Sequence, residues 1–191
     1  MTPSLQDDPH SRRTLLAAGG GAAAATVGLL AACSGSKPLR VKVRTGVKVQ
    51  RGDVSALNRV LDLEQHTIAA YTAGIPLLRK PATKAAQQFL AQELAHAQAL
   101  SDLVRKAGGK PDKPRASYDL GNPSTDVEVL ALLRDLEGRQ LAAYLQVLPS
   151  LSPGKLRSAV AAIFANDAQH LAVLRAQLGQ TAVPAAFVTG G

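Results

Sequence analysis

The chain is poor in the side chains that most often announce a function. Among 191 residues it has one cysteine, one methionine, no tryptophan, three phenylalanines and three tyrosines. A lone cysteine, Cys33, excludes an internal disulfide and a thiolate cluster, and leaves a job that a single thiol can do. With aromatics at 3% and apolar residues at 46%, the core must be built mainly from alanine and leucine, which suits closely packed helices better than strands. No glycine-rich nucleotide loop and no nucleophile elbow occurs, so the enzyme classes that rest on them have no support. Acidic residues are missing from one stretch in particular. Between Ser34 and Gly52 stand Lys37, Arg40, Lys42, Arg44, Lys48 and Arg51 with no acid among them. Much of the formal charge of +8 therefore lies in one segment and not on a groove-reading element, which argues against a nucleic-acid partner.

Residues 1–32 read as an address. Ser11-Arg12-Arg13-Thr14-Leu15-Leu16 precedes an Ala/Gly-rich apolar run that ends at Leu30-Ala31-Ala32-Cys33. A charged start, an apolar middle and a small-residue end are the three regions of an export signal. A transmembrane helix competes, because the run from Thr14 to Ala32 is long enough, but its alanines and glycines make it weakly hydrophobic. The paired arginines resemble a twin-arginine translocation signal, and the last four residues resemble a bacterial lipobox. This resemblance implies folding before export, lipidation of Cys33 and attachment to the extracytoplasmic face of the cell membrane, with an uncleaved anchor as the alternative. Residues 33–52 then form a basic juxtamembrane tether facing anionic headgroups. The alternation of Val41, Val43, Val47 and Val49 with Lys42, Arg44 and Lys48 about Gly46 would also allow a small hairpin.

From residue 53 to 180 the periodicity is helical. Asp53 can cap a first helix whose inner face reads Leu57, Leu61, Glu64, Ile68 and Tyr71, with Gly74 and Pro76 ending or bending it. Pro81 can start a second, with Phe89, Glu93, His96, Leu100 and Leu103 on one face before Gly108-Gly109. Thr125 and Asp126 can open a third, carrying Leu130, Leu133, Glu137, Leu141, Tyr144 and Leu148 inward. After a turn from Pro149 to Gly154, a fourth presents Val160, Ile163, Asp167, His170 and Leu174 before Gly179, and residues 181–191 are a tail. Short turns join the first helix to the second and the third to the fourth, so each pair is an antiparallel hairpin. The connection from Lys110 to Ser124, about 15 residues, can span roughly 50 Å extended, against ~37 Å for a helix of ~25 residues. The expected fold is all-α: a four-helix bundle of two hairpins joined by one long crossover.

The two hairpins repeat each other. Asp62-Leu63-Glu64-Gln65-His66-Thr67-Ile68-Ala69-Ala70-Tyr71 returns, 73 residues later, as Asp135-Leu136-Glu137-Gly138-Arg139-Gln140-Leu141-Ala142-Ala143-Tyr144. Phe89-Leu90-Ala91-Gln92-Glu93-Leu94-Ala95-His96 returns, 74 later, as Ile163-Phe164-Ala165-Asn166-Asp167-Ala168-Gln169-His170. Each half thus carries one carboxylate and then a carboxylate-x-x-His, all on apolar faces. Residues at i and i+3 project from the same side of a helix, so Glu93 with His96, and Asp167 with His170, can grip one ion. Four carboxylates and two imidazoles in a bundle core would be strongly destabilising if empty and ionised. Two divalent cations would neutralise them; otherwise carboxyls stay protonated. Tyr71 and Tyr144, seven residues after Glu64 and Glu137, are either packing residues or hydrogen-bond partners behind the ligands. His66 points away from Glu64 and reads as surface. Asp62 and Asp135 are off the inner face, and their repetition suggests a shared structural bond.

This pattern resembles the ferritin-like family of carboxylate-bridged di-metal proteins, in which two helices each give a Glu and two each give a Glu-x-x-His. The whole chain is similar to secreted bacterial members with a twin-arginine leader. The resemblance implies that Glu64, Glu93, His96, Glu137, Asp167 and His170 ligate the metal, with Glu93 and Asp167 bridging. Asp167 stands where the family has Glu and is one methylene shorter, so either two ions or only one is expected. Oxygen and imidazole ligands suit iron or manganese. The expected protein is lipid-anchored in the envelope, acts on dioxygen, peroxide or ferrous iron as a ferroxidase or a peroxidase/catalase-type oxidoreductase, and leaves a homodimer open. The alternative is a ferritin-like scaffold without redox turnover, serving as an envelope binding or stress-protection module.

Overall fold

The computed structural model describes residues 46–190. The leader, Cys33 and the basic segment up to residue 45 lie outside the described residues. Four long helices follow one another: α1 (Asp53–Gly74), α2 (Ala82–Lys106), α3 (Asp126–Val147) and α4 (Lys155–Gln177). Short 3-10 turns, Ile75–Leu77 and Leu148–Ser150, close α1 and α3 at matching places. Pro76 and Pro149 lie in them, where a fixed φ and a missing N–H stop the α-helical ladder. No strand occurs among the described residues, and no described helix is long and apolar enough to cross a membrane.

Local chemistry sets the helix ends. Thr125 caps α3 in a reciprocal box: Glu128 N donates to Thr125 Oγ1 at 3.3 Å, and Thr125 N donates to Glu128 Oε2 at 3.0 Å. Gly108 ends α2 with φ of +76°, and Gly179 ends α4 with φ of +69°, a left-handed backbone that side chains disfavour. Asp53 does not cap α1, contrary to expectation, because it is itself the helix's first residue. Buried instead, it accepts from Gln50 N at 2.7 Å and from Ser152 N at 2.8 Å, and so ties the segment entering α1 to the turn before α4.

The packing forms two antiparallel hairpins, α1 with α2 and α3 with α4, with α1 also lying against α3. α1 and α3 come close at Gly74, where an added Cβ would lie 2.6 Å from Val129 Cγ1. Along α1 the crossover from Lys110 to Ser124 is fastened step by step. Asn58 bonds to both Lys110 O and Asp112 N, Gln65 donates to Asp112 O, and Asp62 takes a two-pronged ion pair from Arg115. His66, facing outward as expected, stacks on Tyr118 at 4.8 Å and donates to Asp119 O. Asp135 pairs instead with its neighbour Arg134, so the two repeated aspartates share no common bond. Only the first of them has a crossover beside it.

The apolar interior falls into two blocks. One contains Leu57, Leu61, Leu100, Leu103, Tyr144, Val147, Leu156 and Val160; the other contains Tyr71, Ala86, Phe89, Val129, Leu133 and Leu174. On every helix the charged residues come between the two. Val47 is buried in the first block and Val49 packs on it, so residues 47–52, expected in the tether, belong to the folded body. Alternation explains this: two valines cover the core while Lys48 stays out. At the other terminus Gly190 presses on α3, and a Cβ at Gly138 would meet Gly190 O at 2.9 Å.

Candidate metal centre

Ionisable groups rarely occupy a bundle core, yet Glu64, Glu93, Glu137 and Asp167 are fully buried, with His96 at 3% and His170 at 1% exposure. Each helix delivers its share through three-and-four spacing on its inner face. The side chains meet in two quartets: Glu64, Glu93, His96 and Asp167, then Glu93, Glu137, Asp167 and His170. In each, one atom per residue lies within 4.8 Å of all the others. Glu93 and Asp167 belong to both. The shorter Asp167 thus still reaches both groups, and all six residues singled out in the sequence converge.

Both imidazoles turn Nδ1 inward. His96 Nδ1 lies 3.2 Å from Asp167 Oδ1 and 3.7 Å from Glu64 Oε2 and from Glu93 Oε1. His170 Nδ1 lies 3.1 Å from Glu93 Oε1 and 3.2 Å from Glu137 Oε1. The tyrosines serve the ligands crosswise. Tyr71 of the first repeat donates to Glu137 Oε1 at 2.7 Å, and Tyr144 of the second donates to Glu64 Oε1. Ile68 is only half-buried. Thr67, beside it, takes the inward place and is fully buried.

The sequence reading passed over three polar residues here. Thr67 and Gln140 are fully inside; Thr67 Oγ1 donates to Gln140 Oε1 at 2.6 Å, and Gln140 Nε2 donates to Glu93 Oε2 at 3.0 Å. Half-buried Gln92 pairs its Oε1 with His170 Nε2 at 2.7 Å. The signal for the first two was present, since each stands three residues after a repeated glutamate, as each histidine does after its carboxylate.

Without a cation the protons redistribute. Burial pushes Glu64 well above the usual carboxylate range, with Glu93 and Asp167 adding repulsion. Burial, with Glu93 nearby, likewise raises Glu137 to about 8 and Asp167 to about 6. Burial would push His170 down, but Glu137 and Glu93 outweigh it and raise the ring to about 10. His96 is raised further still, because Asp167, Glu64 and Glu93 overcome its desolvation. Glu93, facing both rings, is held well below the usual range despite its burial. Two imidazolium ions thus face the carboxylates of Glu93 and Asp167, while burial favours the protonated form of Glu137 at neutral pH and shifts Glu64 in the same direction.

That compromise satisfies charge but not direction. Among the described residues, buried side-chain atoms without a hydrogen-bond partner include Glu64 Oε2, Glu93 Oε1, His96 Nδ1, Glu137 Oε2 and both oxygens of Asp167. These are atoms of the two quartets, and carboxylate oxygens left facing one another are what a hard divalent cation takes up, with His96 Nδ1 giving up its proton to join them. The residues present fit a pair of such ions.

Fold and cluster together define a class: a four-helix bundle with a buried carboxylate–imidazole centre compatible with metal binding. The chain belongs to the ferritin-like domain family, whose sequence profile matches residues 52–180. Its fold is similar to that of a conserved hypothetical protein from Mycobacterium tuberculosis, at TM-score 0.64 and 20% identity over 71% of this chain and 96% of that one. It is also similar to ferritin-like, diiron-carboxylate proteins from Bacillus anthracis, at TM-score 0.55 and 17% identity over 65% of this chain and 94% of the other. No curated protein matches the chain.

Proposed function

We propose that the bundle holds two divalent ions, iron or manganese, in a lipid-anchored envelope protein that reacts with dioxygen, peroxide or ferrous iron. The observation that carries this is the pair of quartets sharing Glu93 and Asp167, whose facing atoms have no other partner. Carboxylate oxygens with one imidazole per ion suit iron and manganese better than softer metals. The similarity to a bundle described as diiron-carboxylate adds weight to iron. Such an ion pair, when bound, supplies one-electron chemistry with open positions for small oxygen species.

The chain's own residues do the rest. Glu93 and Asp167, common to both quartets, would serve both ions, Glu64 with His96 and Glu137 with His170 would complete the two sets of ligands, and Tyr71 and Tyr144 orient the outer glutamates. Apolar blocks above and below exclude water, and with no ligand more than 3% exposed only an ion or a very small oxidant can reach the centre. The twin arginines, Leu30-Ala31-Ala32-Cys33 and the basic residues after it support export and anchoring at the membrane face.

The self-neutralised arrangement of the metal-free cluster favours a second reading, a ferritin-like scaffold without redox turnover. One measurement separates them. The full chain, purified from membranes of cells that export it, is analysed for metals and assayed for ferrous oxidation and peroxide loss. One to two equivalents of iron or manganese with either activity support the first reading. Less than about half an equivalent with neither activity leaves the scaffold.

A further inference from the structure

We propose that Gln92 and Phe89 make the two ion positions unequal, so that the His170 position fills first and holds its ion tightly while the His96 position exchanges. This rests on the metal-binding reading above. It follows from a departure from symmetry that the repeat makes visible. His170 is clamped on two sides. Phe89 stacks on its ring at 4.2 Å between centroids and 26° between planes, and Gln92 Oε1 lies 2.7 Å from its Nε2. An amide oxygen can only accept, so Nε2 carries the proton and Nδ1, facing Glu93 and Glu137, is the nitrogen offered to an ion. The ring's direction, and the nitrogen that keeps its proton when an ion displaces the other, are set before any ion arrives.

His96 has neither clamp. At the matching places of the second repeat stand Ile163, which cannot stack as a ring, and Asn166, which is one methylene shorter than Gln92. No hydrogen bond to His96 Nε2 occurs among the described residues. Its Nδ1 sits at 3.7 Å from two of its three carboxylate neighbours, where His170 has two at 3.1 and 3.2 Å. An ion bound there must first fix the ring, and that ordering weakens it. Two changes, Phe89 to Ile163 and Gln92 to Asn166, thus fall along one helix face and loosen one position of the pair.

The test is titration of the metal-free full chain with Co2+, followed by visible d–d absorption. The native chain should show two steps separated by about tenfold or more. Gln92→Leu should weaken the tight step by about 10- to 100-fold, the range typical of lost partners to a ligating histidine, and leave the weak step in place. Gln92→Glu, whose carboxylate also accepts from Nε2, should keep the tight step and its absorption band. His170→Ala should remove the tight step and His96→Ala the weak one. Two equal native steps, an unchanged Gln92→Leu, or equal weakening by Leu and Glu would overturn the inference while leaving metal binding intact. Absence of any Co2+ binding would overturn both.

Discussion

Thr67 and Gln140 occupy the same place in the two repeats, 73 residues apart, and hydrogen-bond directly to each other at 2.6 Å. The amide's other arm donates to Glu93 Oε2 at 3.0 Å, so one bond between repeat mates also holds a bridging carboxylate. Gln140→Leu keeps the volume and strands a buried hydroxyl and a buried carboxylate oxygen. It should lower the unfolding free energy of the metal-free protein by about 1–3 kcal/mol in urea melts. A change below about 0.5 kcal/mol would show that this bond is dispensable.

His96, inside the centre, and His66, on the crossover side of α1, should separate cleanly in metal content. His96→Ala should lose bound metal, whereas His66→Ala should keep it, because the His66 ring contacts Tyr118 and Asp119 of the crossover and nothing in the centre. The His66 variant should instead show faster amide exchange between residues 112 and 120. Equal metal loss in both variants would contradict the assignment of the centre.

The pH response should differ in sign with and without metal. Burial and mutual repulsion raise Glu137 to about 8 and Asp167 to about 6, and their carboxylate neighbours raise His170 to about 10, so the native state holds protons that the unfolded chain releases. Stability of the metal-free protein therefore falls as pH rises, through Asp167 up to about 6, through Glu137 up to about 8 and through His170 up to about 10, so that pH 6 to 9 lies on the falling side. Glu93, held low by both histidines, acts oppositely, and its contribution is lost only in acid. A divalent ion competes with these same protons, so its stabilising effect grows over that window and binding releases protons. Calorimetry in two buffers of different ionisation enthalpy measures the release, and a metal-free melting temperature that climbs from pH 6 to pH 9 would refute the sign.

Gly74→Ala tests the closeness of α1 and α3. A Cβ there meets Val129 Cγ1 at 2.6 Å, and Val129 is itself fully buried, so the gain in helix propensity is outweighed. We expect a loss of about 1–3 kcal/mol, relieved in part by Val129→Ala in the same chain. Additive losses from the two substitutions would show that the contact is not what limits the site.

Much of this molecule was legible before folding because helical periodicity and duplication reinforce each other. The inner faces of α2, α3 and α4 follow three-and-four spacing, and a carboxylate-x-x-His found twice on apolar stripes marks a shared centre better than one copy could. What periodicity cannot show is how polar side chains meet across helices. Tyr71 could have turned to Glu64 on its own helix, and instead serves Glu137, while Tyr144 serves Glu64. Gln92 and Asn166 look alike as polar neighbours of a ligand, and only three-dimensional reach tells them apart. Asp53 resembled a cap, and burial made it a tie between two loops.

By itself the sequence determined four helices, their pairing into hairpins, and the six acidic and imidazole groups turned inward. Spacing along one helix is a local property, and short turns leave few ways to pack. Tertiary structure alone decided which tyrosine orients which glutamate, that Thr67 and Gln140 meet each other, and that His170 is clamped where His96 is not. Those outcomes depend on distances between helices, where a single methylene or a ring edge separates a contact from a gap.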